Sequence, residues 1–141
     1  MEASTLEGAG SLLQDPSPAV LTTYRLDGTA LTSPVWFRYR DGAFEVVVAE
    51  GDVKLRHLER DPRALLVVFE AVRPFRGVEV RGTAELRPGD VHEARASIAG
   101  RYLGAGAGER FAVARSARPA VLVRLRPDTV RVWDLGAILP V

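Results

Sequence analysis

Residues 47–62, VVAEGDVKLRHLERDP, are the stretch on which the reading of this chain turns. The apolar run Val46-Val47-Val48-Ala49 has strand character and ends at a Gly51-Asp52 turn. A short basic helix follows, carrying Lys54, Arg56, His57 and Arg60, and Asp61-Pro62 stops it. Strand, tight turn and helix start together aim free backbone N–H groups and the positive end of a helix at one spot, which is the chemistry of an anion site. Lys54 stands in the first turn, where its ammonium reaches the same spot as a point charge. It is the only lysine among 19 basic residues; the other 18 are arginines. The competing interpretation of the segment is a solvated helix face that happens to be basic.

Outward from that stretch, the strands fall into place by alternation and turns. Upstream, Ala19 to Arg25 is read as a strand, Leu26-Asp27-Gly28-Thr29 as a hairpin turn, and Ala30 to Tyr39 as the returning strand. Pro34 inside that strand marks an edge, a bulge or an opened ladder. Arg40-Asp41-Gly42 turns the chain into a third strand, Ala43 to Ala49. Ser4 or Thr5 is expected to cap a first helix through Leu13.

Downstream, Ala64 to Glu70 (ALLVVFE) reads as a strand buried on both faces, and Phe75 to Arg87 as a long alternating strand. Gly77 and Gly82 within it suggest close approach of a ligand or a barrel bend. A helix runs from Val91 to about Leu103 with Asp90 as its cap, and Gly104 to Gly108 is read as a mobile loop before one or two further helical turns, Glu109 to Arg115. Ala120 to Arg126 alternates Val121, Val123 and Leu125 against Leu122, Arg124 and Arg126; Pro127-Asp128 is read as a turn, and Thr129 to Trp133 as the last strand. Six or seven mostly antiparallel strands with short peripheral helices are most economically arranged as a closed or partly closed barrel, which disposes of exposed edges.

Composition narrows the function. With 141 residues, 47% hydrophobic and 26% charged, the chain is expected to form one domain over residues 1–141. A net charge of +1 gives no basic field for nucleic acid. There is no cysteine, hence no disulfide, no thiol nucleophile and no cysteine-based zinc site. The acidic, small-residue start argues against a signal peptide, and no apolar run is long enough to span a membrane, so a cytoplasmic location is expected. His57 and His92 are the only histidines, and they offer neither a metal site nor an evident axial ligand for haem. No nucleophile elbow, P-loop or dinucleotide fingerprint is present. A chain without hydrolytic apparatus can be an enzyme only if a bound cofactor carries the reaction. No catalytic residue is assigned, and Tyr24 is the one candidate proton donor.

Three motifs then carry a resemblance. Thr23-x-x-x-Asp27-Gly28 leading to Val35-Trp36-Phe37, Lys54-x-Arg56-x-Leu58-x-x-Asp61-Pro62-Arg63, and Gly77-Val-Glu-Val-Arg-Gly-x-Ala-Glu-Leu86, with a late Arg131-Val-Trp-Asp134, resemble the pyridoxamine-5'-phosphate-oxidase-like split β-barrel family. More narrowly, the chain is similar to the actinobacterial flavin and deazaflavin oxidoreductases that use coenzyme F420. The likeness runs over about residues 5–135 and is more specific for the family than for the flavin. It implies an α+β, mainly β fold: an antiparallel split β-barrel of the FMN-binding type.

The resemblance also implies a coenzyme F420 site, with FMN as the alternative. Lys54 matches the family's phosphate-binding lysine, and Ser33, Pro34, Val35 and Trp36 match the strand that lies against the ring. Glu50, Gly51, Asp52 and Val53 match the phosphate turn, with a departure: many members have Ser or Arg where Asp52 and Val53 stand. A carboxylate beside a phosphate is unfavourable unless Asp52 turns away as helix cap. Arg56, and less so Arg60, are candidates for the anionic tail of the deazaflavin. The family's homodimers, with sites between subunits, imply that Trp133 reaches the partner's site; an interface or core tryptophan is the alternative. Arg76 and Glu79 are candidates for meeting substrate. The implied activity is hydride transfer between the deazaflavin and a small unsaturated or quinone-like acceptor. An FMN enzyme, or a protein that only sequesters its ligand, are the alternatives.

Overall fold

A computed structural model describes residues 2–3 and 5–141, with side chains from residue 5 onward. Eight antiparallel strands form one sheet: β1 (Glu2–Ala3), β2 (Ala19–Tyr24), β3 (Ala30–Val35), β4 (Arg38–Arg40), β5 (Ala43–Ala49), β6 (Arg63–Phe69), β7 (Gly77–Pro88) and β8 (Ala120–Trp133). The order is β3-β2-β6-β7-β8-β5-β4, with β1 on the far end of β8. The two end strands, β3 and β4, are consecutive in sequence and only Trp36 and Phe37 separate them. The sheet therefore curls until its edges are one short link apart but stays open there, which is the split of a split barrel. Helices α1 (Val53–Arg60), α2 (His92–Leu103) and α3 (Ala105–Ala114) lie outside it. None is long and apolar enough to cross a membrane.

Alternation builds the core. Leu21, Leu66, Val68, Val78, Val80 and Val123 point inward with Phe37, Phe44 and Leu12, and all are buried to within 2%. In β6 only one face is deeply buried: Ala64, Leu66 and Val68 are inside, while Leu65, Val67 and Phe69 are half-covered. The expectation of burial on both faces is thus corrected.

Four further differences have physical causes. The strand expected over Ala30 to Tyr39 is broken at Trp36-Phe37, where the chain steps from one sheet edge to the other. Pro127-Asp128 is no turn: β8 runs through it, and the register shifts between Arg81 and Gly82 so that Asp128 is the extra residue. A bulge tolerates the proline that a regular ladder would not. Gly82 fits there because a side chain would meet the Arg126 carbonyl, its Cβ 1.9 Å from that oxygen. The first helix, Leu6–Leu13, is 3-10 and kinked at Gly10; Thr5 makes no side-chain cap, and Ser4 lies outside the described residues.

The glycine-rich segment 104–108 is the fourth. It opens α3 instead of forming a loop. A Cβ on Gly108 would sit 2.5 Å from the Cα of Gly100 in α2. Glycine is there because two helix backbones touch.

One buried ion cluster was not foreseen. Arg124, expected on the polar face of its strand, is 5% exposed. Glu45 accepts from Arg124 Nε at 2.7 Å and from Arg38 Nε at 2.6 Å. Arg38 also grips Glu93 of α2 with both terminal nitrogens, at 2.7 and 3.0 Å. Burial works to raise the Glu45 pKa, but the two guanidiniums outweigh it and hold the carboxylate ionised below its usual range.

Candidate functional site

The strand-turn-helix corner forms as its residues dictate. The Asp52 amide donates to the Ala49 carbonyl at 3.1 Å, closing a turn in which Gly51 takes φ 88°, a value L side chains avoid. Asp52 caps α1: its Oδ1 accepts from the Lys54 amide at 2.9 Å. It does not leave the ammonium, however. Lys54 Nζ donates to Asp52 Oδ2 at 3.0 Å and Oδ1 at 3.2 Å. Burial works to raise the Asp52 pKa, and the Lys54 amide and ammonium more than offset it, keeping the carboxylate ionised. The pair makes a compact, partly buried dipole.

That corner forms one wall of a cavity of about 290 Å³. Pro34, Val35 and Trp36 at the end of β3 form another wall, and Val46 to Ala49 of β5 the floor. Pro34 costs the sheet nothing, because β3 is an edge strand paired only with β2. The remaining wall comes from α2 (Arg95, Ile98, Ala99) and the end of α3 (Phe111, Arg115). Trp36 stacks on Tyr102 of α2 at 5.2 Å and 12° and meets Phe111 at 5.4 Å. The Tyr102 hydroxyl fixes that ladder, donating to the Ser17 carbonyl at 2.9 Å and accepting from the Phe37 amide at 3.3 Å. Arg101 adds a bond to the Leu13 carbonyl at 2.9 Å and lies over the Phe37 ring at 4.6 Å.

Of the residues singled out from sequence, Pro34, Val35, Trp36, Asp52 and Lys54 come together around this cavity. Ser33 sits behind it, opposite Leu21 in the β2–β3 ladder. Gly51 and Val53 flank the corner at the surface, and Arg56 and Arg60 are exposed on α1, off the cavity wall. Trp133 is elsewhere. It lies across Gly77, where an added Cβ would fall 2.1 Å from Trp133 Cζ2, with Arg131 over its ring at 4.8 Å. The close approach that Gly77 suggested is therefore made by this indole and not by a ligand. Arg76 is paired with Glu70 at 2.9 Å, Glu79 with Arg81 at 3.2 Å, and Tyr24 lies under Arg63 at 5.3 Å.

Arg95, Phe111 and Arg115 were missed. The signal for Arg95 was present: Ala94, Arg95, Ile98 and Ala99 are the buried positions of α2, so an arginine stands on an apolar helix face. It is 9% exposed and donates to the carbonyls of Arg115 at 2.9 Å and Arg118 at 3.2 Å. Burial lowers its pKa, with Arg115 and Arg118 adding to the effect. Arg115 and Phe111 carry no such local mark.

Comparison with known proteins agrees with this architecture. No curated protein matches the chain. In solved structures, a conserved hypothetical protein from Mycobacterium tuberculosis is 25% identical, with 99% of this chain and 90% of that one covered and a TM-score of 0.82. An F420 reductase is 22% identical over 87% and 95% of the two chains, with a TM-score of 0.63. An FAD-binding protein from Mesorhizobium loti is 23% identical over 94% and 97%, with a TM-score of 0.66. The last two likenesses are of fold. The sequence profile of pyridoxamine 5'-phosphate oxidase matches residues 7–134, nearly the whole chain, and this protein belongs to that family.

Proposed function

We propose that the cavity binds a flavin-type cofactor and that the protein is an oxidoreductase, passing a hydride between coenzyme F420 and a small unsaturated or quinone-like acceptor. The observation that carries this reading is that the ring strand Pro34–Trp36 and the Asp52–Lys54 corner, 16 or more residues apart in sequence, line one cavity. The fit is supported by charge: Lys54, Arg95 and Arg115 face Asp52 alone, so the wall has a cationic surplus suited to an anionic cofactor. Lys54 would exchange its carboxylate partner for the phosphate, while Asp52 keeps the Lys54 amide as helix cap. The apolar floor Val46–Ala49 would exclude water beneath the ring, and the Trp36–Tyr102 stack would hold the wall in place. The deazaflavin, when bound, supplies the hydride chemistry itself. FMN in the same place is the second reading, favoured by the family match. Assembly as a homodimer with this cavity near the subunit boundary belongs to the same proposal.

Titration of the purified protein with F420 and with FMN, followed by fluorescence, tests it. Micromolar binding of one of them is expected, weakened about tenfold or more in Lys54→Ala, as loss of a charge-assisted contact implies. Binding of neither cofactor overturns the reading; binding indifferent to the substitution moves the phosphate away from Lys54.

A further inference from the structure

Half of the 18 arginines of this chain are matched by carboxylates: Arg38, Arg40, Arg63, Arg76, Arg81, Arg87, Arg124, Arg126 and Arg131 all have one within 4 Å. Among the described residues no carboxylate pairs with Arg115, although it lines the cavity. Its position is nevertheless fixed twice. The buried Arg95 guanidinium holds the Arg115 carbonyl at 2.9 Å, securing the backbone. The Phe111 ring holds the Arg115 guanidinium by a cation–π contact at 3.8 Å. Lys54, on the same cavity, is already paired with Asp52 at 3.0 Å. A guanidinium that is pre-oriented, lacks an acid partner and faces a cavity is a fork for a planar anion.

We propose that Arg115 is the anion-selecting residue of this cavity, and that the ligand carries a carboxylate or phosphate group at the α3 end. This deepens the cofactor reading and rests on it for identifying the cavity as the reaction site, though not for the anion preference itself. The group belongs either to the cofactor or to an acidic acceptor held beside it.

Calorimetric titration with two matched pairs of probes separates these sources: FMN against riboflavin, and 2-naphthoate against 2-naphthamide. The anionic member of at least one pair is expected to bind about tenfold tighter or more, the range of a hydrogen-bonded charge pair. That preference should fall several-fold in Arg115→Gln, with Lys54 keeping its own share of any FMN preference, and return in part in Arg115→Lys, which keeps the charge and loses the fork. Loss of the FMN preference assigns the anion to the cofactor. Loss of the naphthoate preference alone assigns it to an acceptor. If the parent protein binds no flavin but prefers naphthoate through Arg115, the cofactor reading falls and the anion subsite stands. No preference for either anion, or preferences that Arg115→Gln leaves intact, overturns the proposal.

Discussion

Strand β5 separates two regions built from the same chemistry to opposite ends. At one end, Glu45 is enclosed by Arg38 and Arg124, and Glu93 closes the outer side of Arg38. At the other, Val46 to Ala49 floor a cavity whose wall carries Lys54, Arg95 and Arg115 against Asp52. In the first, every charge has a partner and the side chains of Glu45, Arg38 and Arg124 are at most 9% exposed. In the second, cations outnumber anions and space remains. A saturated buried network holds strands and helix together. An unsaturated one beside a cavity has capacity left for a ligand. Arginine content alone does not separate the two; the position of each carboxylate does.

The strongest way to break this contrast is at its saturated end. In Glu45→Gln the side chain loses its charge, presents an amide N–H₂ to one guanidinium, strips the buried Arg124 of its carboxylate and leaves Arg38 with Glu93 alone. Removing one partner of such a cluster costs about 3–5 kcal/mol. Urea denaturation should show that loss. A loss below about 1 kcal/mol, the worth of an exposed ion pair, would mean that the cluster is hydrated and not sealed.

How much of this could be read from the sequence follows from the range of each interaction. The hairpins Ala19–Val35 and Arg38–Ala49 were legible because period-2 alternation and the Asp27-Gly28 and Asp41-Gly42 turns are local signals, whereas their placement at opposite edges of the sheet was not. Half of the cavity was legible because Pro34–Trp36 and Asp52–Lys54 sit in recognisable motifs. The other half was not. Arg38, Glu45 and Arg124 become a cluster only once β4, β5 and β8 are laid side by side. Phe111 and Arg115 fall in turns read as helical, but it is the packing of α3 on α2 that sets them on the cavity wall, and the glycines at the start of α3 read locally as a break. What requires glycine at 108 is the backbone of Gly100, on another helix. Pro127-Asp128 was misread for a similar reason: a bulge against β7 and a turn share the same residue types.

The Gly100–Gly108 contact offers the next test, on the cavity side. In Gly108→Ala the new methyl would lie 2.5 Å from Gly100 and 2.8 Å from the Ala96 carbonyl, all backbone atoms that cannot turn aside. Helix propensity favours alanine by about 1 kcal/mol. Overpacking costs about 1–3 kcal/mol, so the balance is a modest loss of stability. The larger consequence is local: α3 must move off α2, taking Phe111 and Arg115 with it. Anion binding should therefore weaken more than stability does, which calorimetry on the folded variant measures. Unchanged binding would show that the cavity wall does not depend on this contact.

Acid offers the mildest way to tell the regions apart. On the cavity side, His57 anchors α1 to β2 through Nδ1 and the Thr23 hydroxyl at 2.9 Å, and it is 5% exposed. Burial lowers its pKa, and Arg60, Arg25 and Arg56 lower it further. The unfolded chain therefore takes up the proton first, near pH 6.5, so stability is complete above that value and falls as the pH drops through it towards the folded pKa. The carboxylates Glu45 and Glu93 have pKa values held below 4.5, so the stability they contribute is kept through that window and lost only at stronger acid. Two separate steps are expected in a plot of unfolding free energy against pH. His57→Gln, which keeps a hydrogen-bonding group beside Thr23 but does not titrate, should flatten the upper step and leave the lower one in place. If the upper step survives that substitution, another group near the cavity carries it, and the neutral anchor of α1 is not what mild acid attacks.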